Sequence, residues 1–259
     1  MNTPVKDYIC VDLETTGLNP KMDRIIEIGA VRVQNGVITD TFSEFVYPGR
    51  KLEEKITELT GIRDCDLEGK PMIEEVLPRF LAFAEELPLL GHSVLFDYSF
   101  LKRAAVNQRL TFERKGVDTL KIARKYLQEL PSRNLGALCA YYQIPHHAHR
   151  ALEDAKATHL LYGELCRQFC PQFCPQFCPP NSPADNAGLL DFVPQILSYQ
   201  VKREGPATPA QKERLKKMLK QYDITPDYEV DWLTKNEASR KIDKLMAECG
   251  IPGKMPKCN

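Results

Sequence analysis

Three consecutive β-like runs open the chain, and they constrain its fold more than any other feature. YICVDL (8–13) is short, apolar and rich in β-formers. RIIEIGAVRV (24–33) and ITDTFSEFV (38–46) alternate, with the turn residues Asn35 and Gly36 between them. Residues 7–46 therefore read as an antiparallel meander. Beyond it the period changes. Residues 51–61 and 73–87 read as helices, and LPLLGHS (87–93) as a short apolar strand followed by the helical run DYSFLKRAAVNQRL (97–110). VDTLKIARKYL (117–127) gives another short strand and helix, and helical patterns at 134–142 and 151–167 follow. A meander followed by alternating strands and helices implies an α/β fold, a mixed sheet with helices packed on its faces.

Asp12 and Glu14 stand two positions apart in the first of these strands. Residues i and i+2 of a strand project to one face, so the two acids point together. Like charges that close repel, and one takes up a proton unless a cation intervenes. Hard divalent ions such as Mg²⁺ and Mn²⁺ favour carboxylate oxygens. An isolated D-x-E carries little weight, so the reading needs partners elsewhere. Asp97 stands at a strand-to-helix transition in GHSVLFDYSFL, a place where an N-cap aspartate is also common. Asp154 lies early in a helix whose apolar stripe runs Ala151, Ala155, Thr158, Tyr162 and Leu165. That places it near the interior, although the helix dipole alone would also favour an acid there. His149 precedes Asp154 by five residues, with His146 and His147 close by, and chemistry alone leaves the three histidines open. Four carboxylates and a histidine fit one mechanism, in which two divalent ions about 4 Å apart clamp the attacking and leaving oxygens of a phosphodiester. A neutral histidine then takes the proton of the attacking water.

In this order and at these separations, VDLETTGL (11–18), HSVLFD (92–97) and HRALEDA (149–155) resemble the three exonuclease motifs of the DnaQ-like (DEDDh) family. That family includes the epsilon proofreading subunits of bacterial DNA polymerase III. ITELTGI (56–62) is similar to the family's stretch between its first and second motifs. The resemblance spans about residues 6–167. It implies a ribonuclease H-like fold with a mixed five-stranded sheet, and metal-dependent 3′→5′ exonuclease activity. It maps two divalent cations, Mg²⁺ or Mn²⁺, onto Asp12, Glu14, Asp97 and Asp154. The H-x-x-x-x-D spacing assigns the general base to His149. It also implies that Thr15 lines the pocket for the terminal nucleotide and that Leu18 wedges beside its base. Ser93 stands where many relatives carry Asn. The expected substrate is a free 3′ end of DNA, single-stranded by preference. An exoribonuclease or oligonucleotidase of the same superfamily would use the same residues on RNA. A non-catalytic binding protein fits less well, because the set of four acids and a histidine is complete.

After residue 167 the composition shifts. QFCPQFCPQFCP (168–179) repeats one tetrapeptide, and proline at every fourth position rules out a continuous helix. Residues 168–205 read as a linker, with Leu189 to Val201 apolar enough to dock on the preceding 1–167 domain. Cys166, Cys170, Cys174 and Cys178 are evenly spaced, as duplication produces, and lack the paired spacing of zinc ligands. Nine cysteines in a chain with no export-type N-terminus imply reduced thiols and a cytoplasmic location. No apolar run reaches membrane-spanning length, so no membrane partner is expected.

Residues 206–252 read as a small helical module. Thr208, Pro209 and Gln211 mark one helix start, and Thr234 with Glu237 marks a second. Gly250 and Pro252 mark the end. The module resembles small helical units appended to bacterial and phage proteins. The whole chain carries no net charge, yet residues 201–259 hold 13 basic and nine acidic residues. The excess suits a nucleic-acid contact, and the helices equally suit a protein partner.

Overall fold

Strand β1 (Tyr8–Thr15) runs through the middle of the sheet, and its alternating side chains divide the core in two. Ile9, Val11 and Leu13 face one layer; Tyr8 and Cys10 face the other. The computed structural model describes residues 3–146, 148–170 and 188–249. They form two compact units, one holding the residues up to Pro48 and Leu52–Val201, the other Gly49–Lys51 and the residues from Lys202.

In the first unit, β1 pairs antiparallel with β2 (Ile25–Gln34), which pairs antiparallel with β3 (Val37–Phe45). Asn35 and Gly36, both at positive φ, make the tight turn between β2 and β3. Two short helices, α1 (Glu54–Thr60) and α2 (Asp64–Leu67), lead to α3 (Ile73–Ala84). Strand β4 (Leu89–Gly91) then joins β1 in parallel and feeds α4 (Val94–Asn107). Strand β5 (Lys115–Asp118) lies parallel to β4 and is followed by α5 (Thr119–Tyr126), α6 (Leu135–Tyr142) and the long α7 (Ala151–Phe169). Residues of α3 and α4 cover the face of Ile9 and Val11, while α5, α6 and α7 cover the face of Tyr8 and Cys10. This is the ribonuclease H-like mixed sheet.

The sheet has six strands in the order β3-β2-β1-β4-β5-β6, one more than expected. The sixth, β6 (Gln195–Ile196), pairs antiparallel with Lys115 and Gly116. Two residues are too few to show a period-2 pattern, which is why the strand escapes a reading of sequence periodicity. Its seat depends on Gly116, where a Cβ would stand 2.8 Å from Leu197 Cδ1. Just before it, Phe192 is fully buried between Tyr126 and Tyr162. Its carbonyl accepts the Tyr162 hydroxyl at 3.2 Å and the Val5 N–H at 3.3 Å.

The second unit is a helical hairpin of α8 (Pro209–Gln221) and α9 (Lys235–Cys249). Thr208 Oγ1 accepts the Gln211 N–H while Gln211 Oε1 accepts the Thr208 N–H, and Thr234 and Glu237 repeat the arrangement at α9. Leu215, Met218 and Leu219 pack on Ala238, Ile242 and Leu245. The Gly49–Lys51 segment closes onto the connection between these helices through Lys51 N–H to Asp227 O and Glu229 N–H to Gly49 O, each 2.9 Å. Residues 171–179 of the tetrapeptide repeat, with Cys174 and Cys178, lie outside the described residues, as do Gly250 and Pro252. Among the described residues no helix is long and apolar enough to cross a membrane.

Candidate active site

Asp12 and Glu14 continue the β1 face that holds Tyr8 and Cys10, and this is the face covered by α7. Asp154 comes down onto it from the first turn of α7. Carboxylate oxygens of Asp12, Glu14 and Asp154 all lie within 4.8 Å of one another. The helix can come so close because β2 offers Gly29 opposite Asp12. A Cβ at Gly29 would stand 2.0 Å from both Ala151 C and Leu152 N, so α7 begins directly on the bare strand.

Asp97 arrives from the other layer. Helix α4 begins at Val94, which puts Asp97 one turn inside it and not at its N-cap. The side chain is buried and accepts the Leu13 N–H at 3.1 Å, which fixes it to β1 between Asp12 and Glu14. Ser93, just before α4, holds a left-handed backbone at φ 77° and gives its N–H to Asp118 Oδ1 at 3.1 Å. Asn tolerates that conformation better than Ser, a physical reason for Asn at this position in similar sequences.

The electrostatics follow from crowding acids in a buried place. Burial first, then the carboxylates of Asp97 and Asp154, push Asp12 well above the usual carboxylate range. Burial does the same to Asp97, against the opposing N–H of Leu13. Glu14 is pushed up to about 8, by burial and then by Asp154 and Glu27, with Arg150 pulling the other way. Such a set holds protons in the absence of a cation. Its hard oxygen donors and spacing fit a divalent ion of the Mg²⁺ or Mn²⁺ kind.

The histidines divide. The backbone N–H of His149 donates to Asp154 Oδ2 at 2.9 Å; the residue sits at φ 66° and is exposed. It is the ring of His146, through Nε2, that meets Asp154 Oδ1. His147 lies outside the described residues. On the loop after β1, Thr15 Oγ1 donates to Gly17 O at 2.7 Å and Leu18 is 84% exposed. The sequence reading missed two residues of β2, Glu27 and Gly29. An acid and a glycine inside the otherwise apolar run IIEIGAV were the available signal.

Comparison with known proteins agrees with this geometry. The family model RNase_T, described as Exonuclease, matches residues 9–162. A DNA polymerase III PolC-type protein of Caldanaerobacter subterraneus subsp. tengcongensis is 45% identical over 154 residues, 59% of this chain and 11% of that protein. The chain thus spans about a tenth of the length of the PolC-type relatives it matches. The DNA polymerase III subunit epsilon of Aquifex aeolicus is 39% identical over 153 residues, 58% of this chain and 76% of that protein. Among solved structures, exonuclease I superposes with a TM-score of 0.58 at 20% identity, over 66% of this chain and 43% of that one. A 3′-exonuclease that recognises a histone mRNA stem-loop superposes with a TM-score of 0.55 at 19% identity, over 65% and 84%. At these identities the two structures speak for the fold.

Proposed function

The chain belongs to the RNase_T exonuclease family, and from that premise we propose that it is a metal-dependent 3′→5′ exonuclease acting on DNA, with single strands preferred. The observation that carries the reading is the convergence of Asp12, Glu14 and Asp154 within 4.8 Å beside a backbone-anchored Asp97. These four residues would hold two divalent cations, Mg²⁺ or Mn²⁺, which would supply Lewis-acid stabilisation of the phosphodiester oxygens. The chain's own residues do the rest. His149, exposed on the loop ahead of α7, takes the proton of the attacking water. Its backbone bond to Asp154 ties the position of that base to one of the acids. Thr15 and the exposed Leu18 hold the terminal nucleotide, the first by hydrogen bonding and the second by apolar contact with a base. The ring of His146 orients the Asp154 carboxylate.

Relatives named as a DNA polymerase III epsilon subunit and PolC-type polymerases favour DNA over RNA. The helical hairpin of the second unit serves, in this reading, as a contact module for nucleic acid or a protein partner. The decisive experiment digests end-labelled single-stranded DNA and RNA in parallel, with Mg²⁺ or Mn²⁺ and then with EDTA. Mononucleotides released from the DNA 3′ end, and abolished by EDTA, are the expected result. Efficient cutting of a closed circular strand would overturn the exonuclease reading.

A further inference from the structure

Strand β2 carries an acid where none is expected. Glu27 is 1% exposed, and burying a carboxylate is costly unless it is paired and hydrogen-bonded. Its partners come from the start of α7. Glu27 Oε2 accepts the N–H of Ala151, the first residue of the helix, at 3.2 Å. Oε1 accepts Nη2 of Arg150 at 3.2 Å. Arg150 holds the N-cap position of α7 and makes no side-chain capping bond of its own. Glu27 therefore supplies from the sheet the acceptor that a capping side chain normally supplies from the helix. The Arg150 guanidinium also lies 5.4 Å from the centre of the Phe45 ring, and Phe45 is the β3 partner of Glu27. The guanidinium is thereby held by the carboxylate and the ring together.

The register gives this contact a meaning beyond stability. Glu27 pairs across the sheet with Glu14, and Gly29 pairs with Asp12. Both β2 residues that receive the start of α7 thus stand beside the two β1 acids. Asp154 follows three residues after Ala151, in the same first turn. We propose that Glu27 is a positioning residue: by capping α7 from β2, with Arg150 as its clamp, it sets the distance of Asp154, and of the loop bearing His149, from Asp12 and Glu14. This rests on the reading of those acids as the catalytic set, and it extends that reading to a residue outside the set.

The test uses the full chain with Glu27→Ala, Glu27→Gln and Arg150→Ala. Glu27→Ala should lower kcat on the order of 10–100-fold at saturating metal, with KM changed far less, because small misplacements of a reacting group cost that much. Amide hydrogen exchange in the first turn of α7 should accelerate in the same variant. Glu27→Gln keeps an oxygen for the Ala151 N–H and should restore most of both properties. Arg150→Ala, a half-exposed change that spares the core, should shift both in the same direction to a smaller extent. Wild-type kcat together with unchanged exchange in Glu27→Ala would overturn the proposal. If that variant does not fold, wild-type kcat and exchange in Arg150→Ala would do so. Hydrogen exchange reports on the helix start even where no nucleic acid is cut, so failure of the nuclease reading is told apart by the unsubstituted chain lacking activity.

Discussion

Phe192 tests where the first unit ends. The ring is fully buried, 6.1 Å from the centres of both the Tyr126 and Tyr162 rings, in the core layer formed by Cys10, Leu90, Val117 and α7. It lies beyond the tetrapeptide repeat, so it is far in sequence from the strands it covers. Replacing a buried Phe by Ala typically costs about 3–5 kcal/mol, and the exposed tyrosine surfaces place this site within that range. A unit with a total stability of about 5–15 kcal/mol would lose a large part of it. With a urea m-value of about 2–3 kcal/mol/M, the unfolding midpoint should fall by about 1–2 M. The assay is urea unfolding followed by far-UV circular dichroism, on the intact chain, on Phe192→Ala and on chains ending at Val201 or Cys170. The chain ending at Val201 should unfold from its first unit as the intact protein does. The one ending at Cys170 should be weaker than Phe192→Ala, because it also loses Leu197, the β6 pairing and the Lys125–Asp191 ion pair. Equal midpoints for all four would show that residues 188–201 contribute nothing to the unit, and the boundary would move back to α7.

Two further outcomes follow from the site. Burial and mutual repulsion raise Asp12, Asp97 and Glu14 above their unfolded values, so the folded metal-free chain binds more protons than the unfolded one. Its stability should be greatest near or below pH 4.5 and decline as pH rises through about 8 for Glu14; Asp12→Asn should flatten that decline, and a thermal melt series in EDTA measures it. His149→Ala should slow cleavage by roughly 10²–10⁴-fold with little change in Mn²⁺ binding, the contribution of a positioned base. His146→Ala should instead weaken Mn²⁺ binding through Asp154, and single-turnover kinetics beside calorimetry would expose an exchange of the two roles.

Much of this was legible in the sequence because it rested on simple periodicity. The i, i+2 relation of Asp12 and Glu14 survives any detail of the sheet, and the stripe from Ala151 to Leu165 placed Asp154 on the buried side of its helix. What escaped depends on contacts between segments distant in the chain. Glu27 acquires its meaning only when Ala151 and Arg150, more than 120 residues later, are brought against it. Gly29 looks like a weak strand residue until a helix backbone occupies the space of its missing Cβ. Strand β6 pairs through two residues, too few for any pattern, and its anchor Phe192 follows a segment of repeated proline. The histidines show a subtler limit. Spacing selects His149, whereas side-chain geometry gives the Asp154 contact to His146, and the two observations concern different atoms.

Cys10 lies on the same β1 face as Asp12, two residues away, with no exposed surface, and burial pushes its thiol up. An alkylating reagent needs an accessible thiolate, and Cys10 offers neither accessibility nor ionisation while α7 is seated. Cys65, by contrast, is exposed and free. Reaction at Cys10 must wait for the helix that brings Asp154 to Asp12 to lift from the strand. The chain therefore carries a native clock for that opening: the delay between modification of Cys65 and of Cys10 measures how rarely the acidic face comes apart.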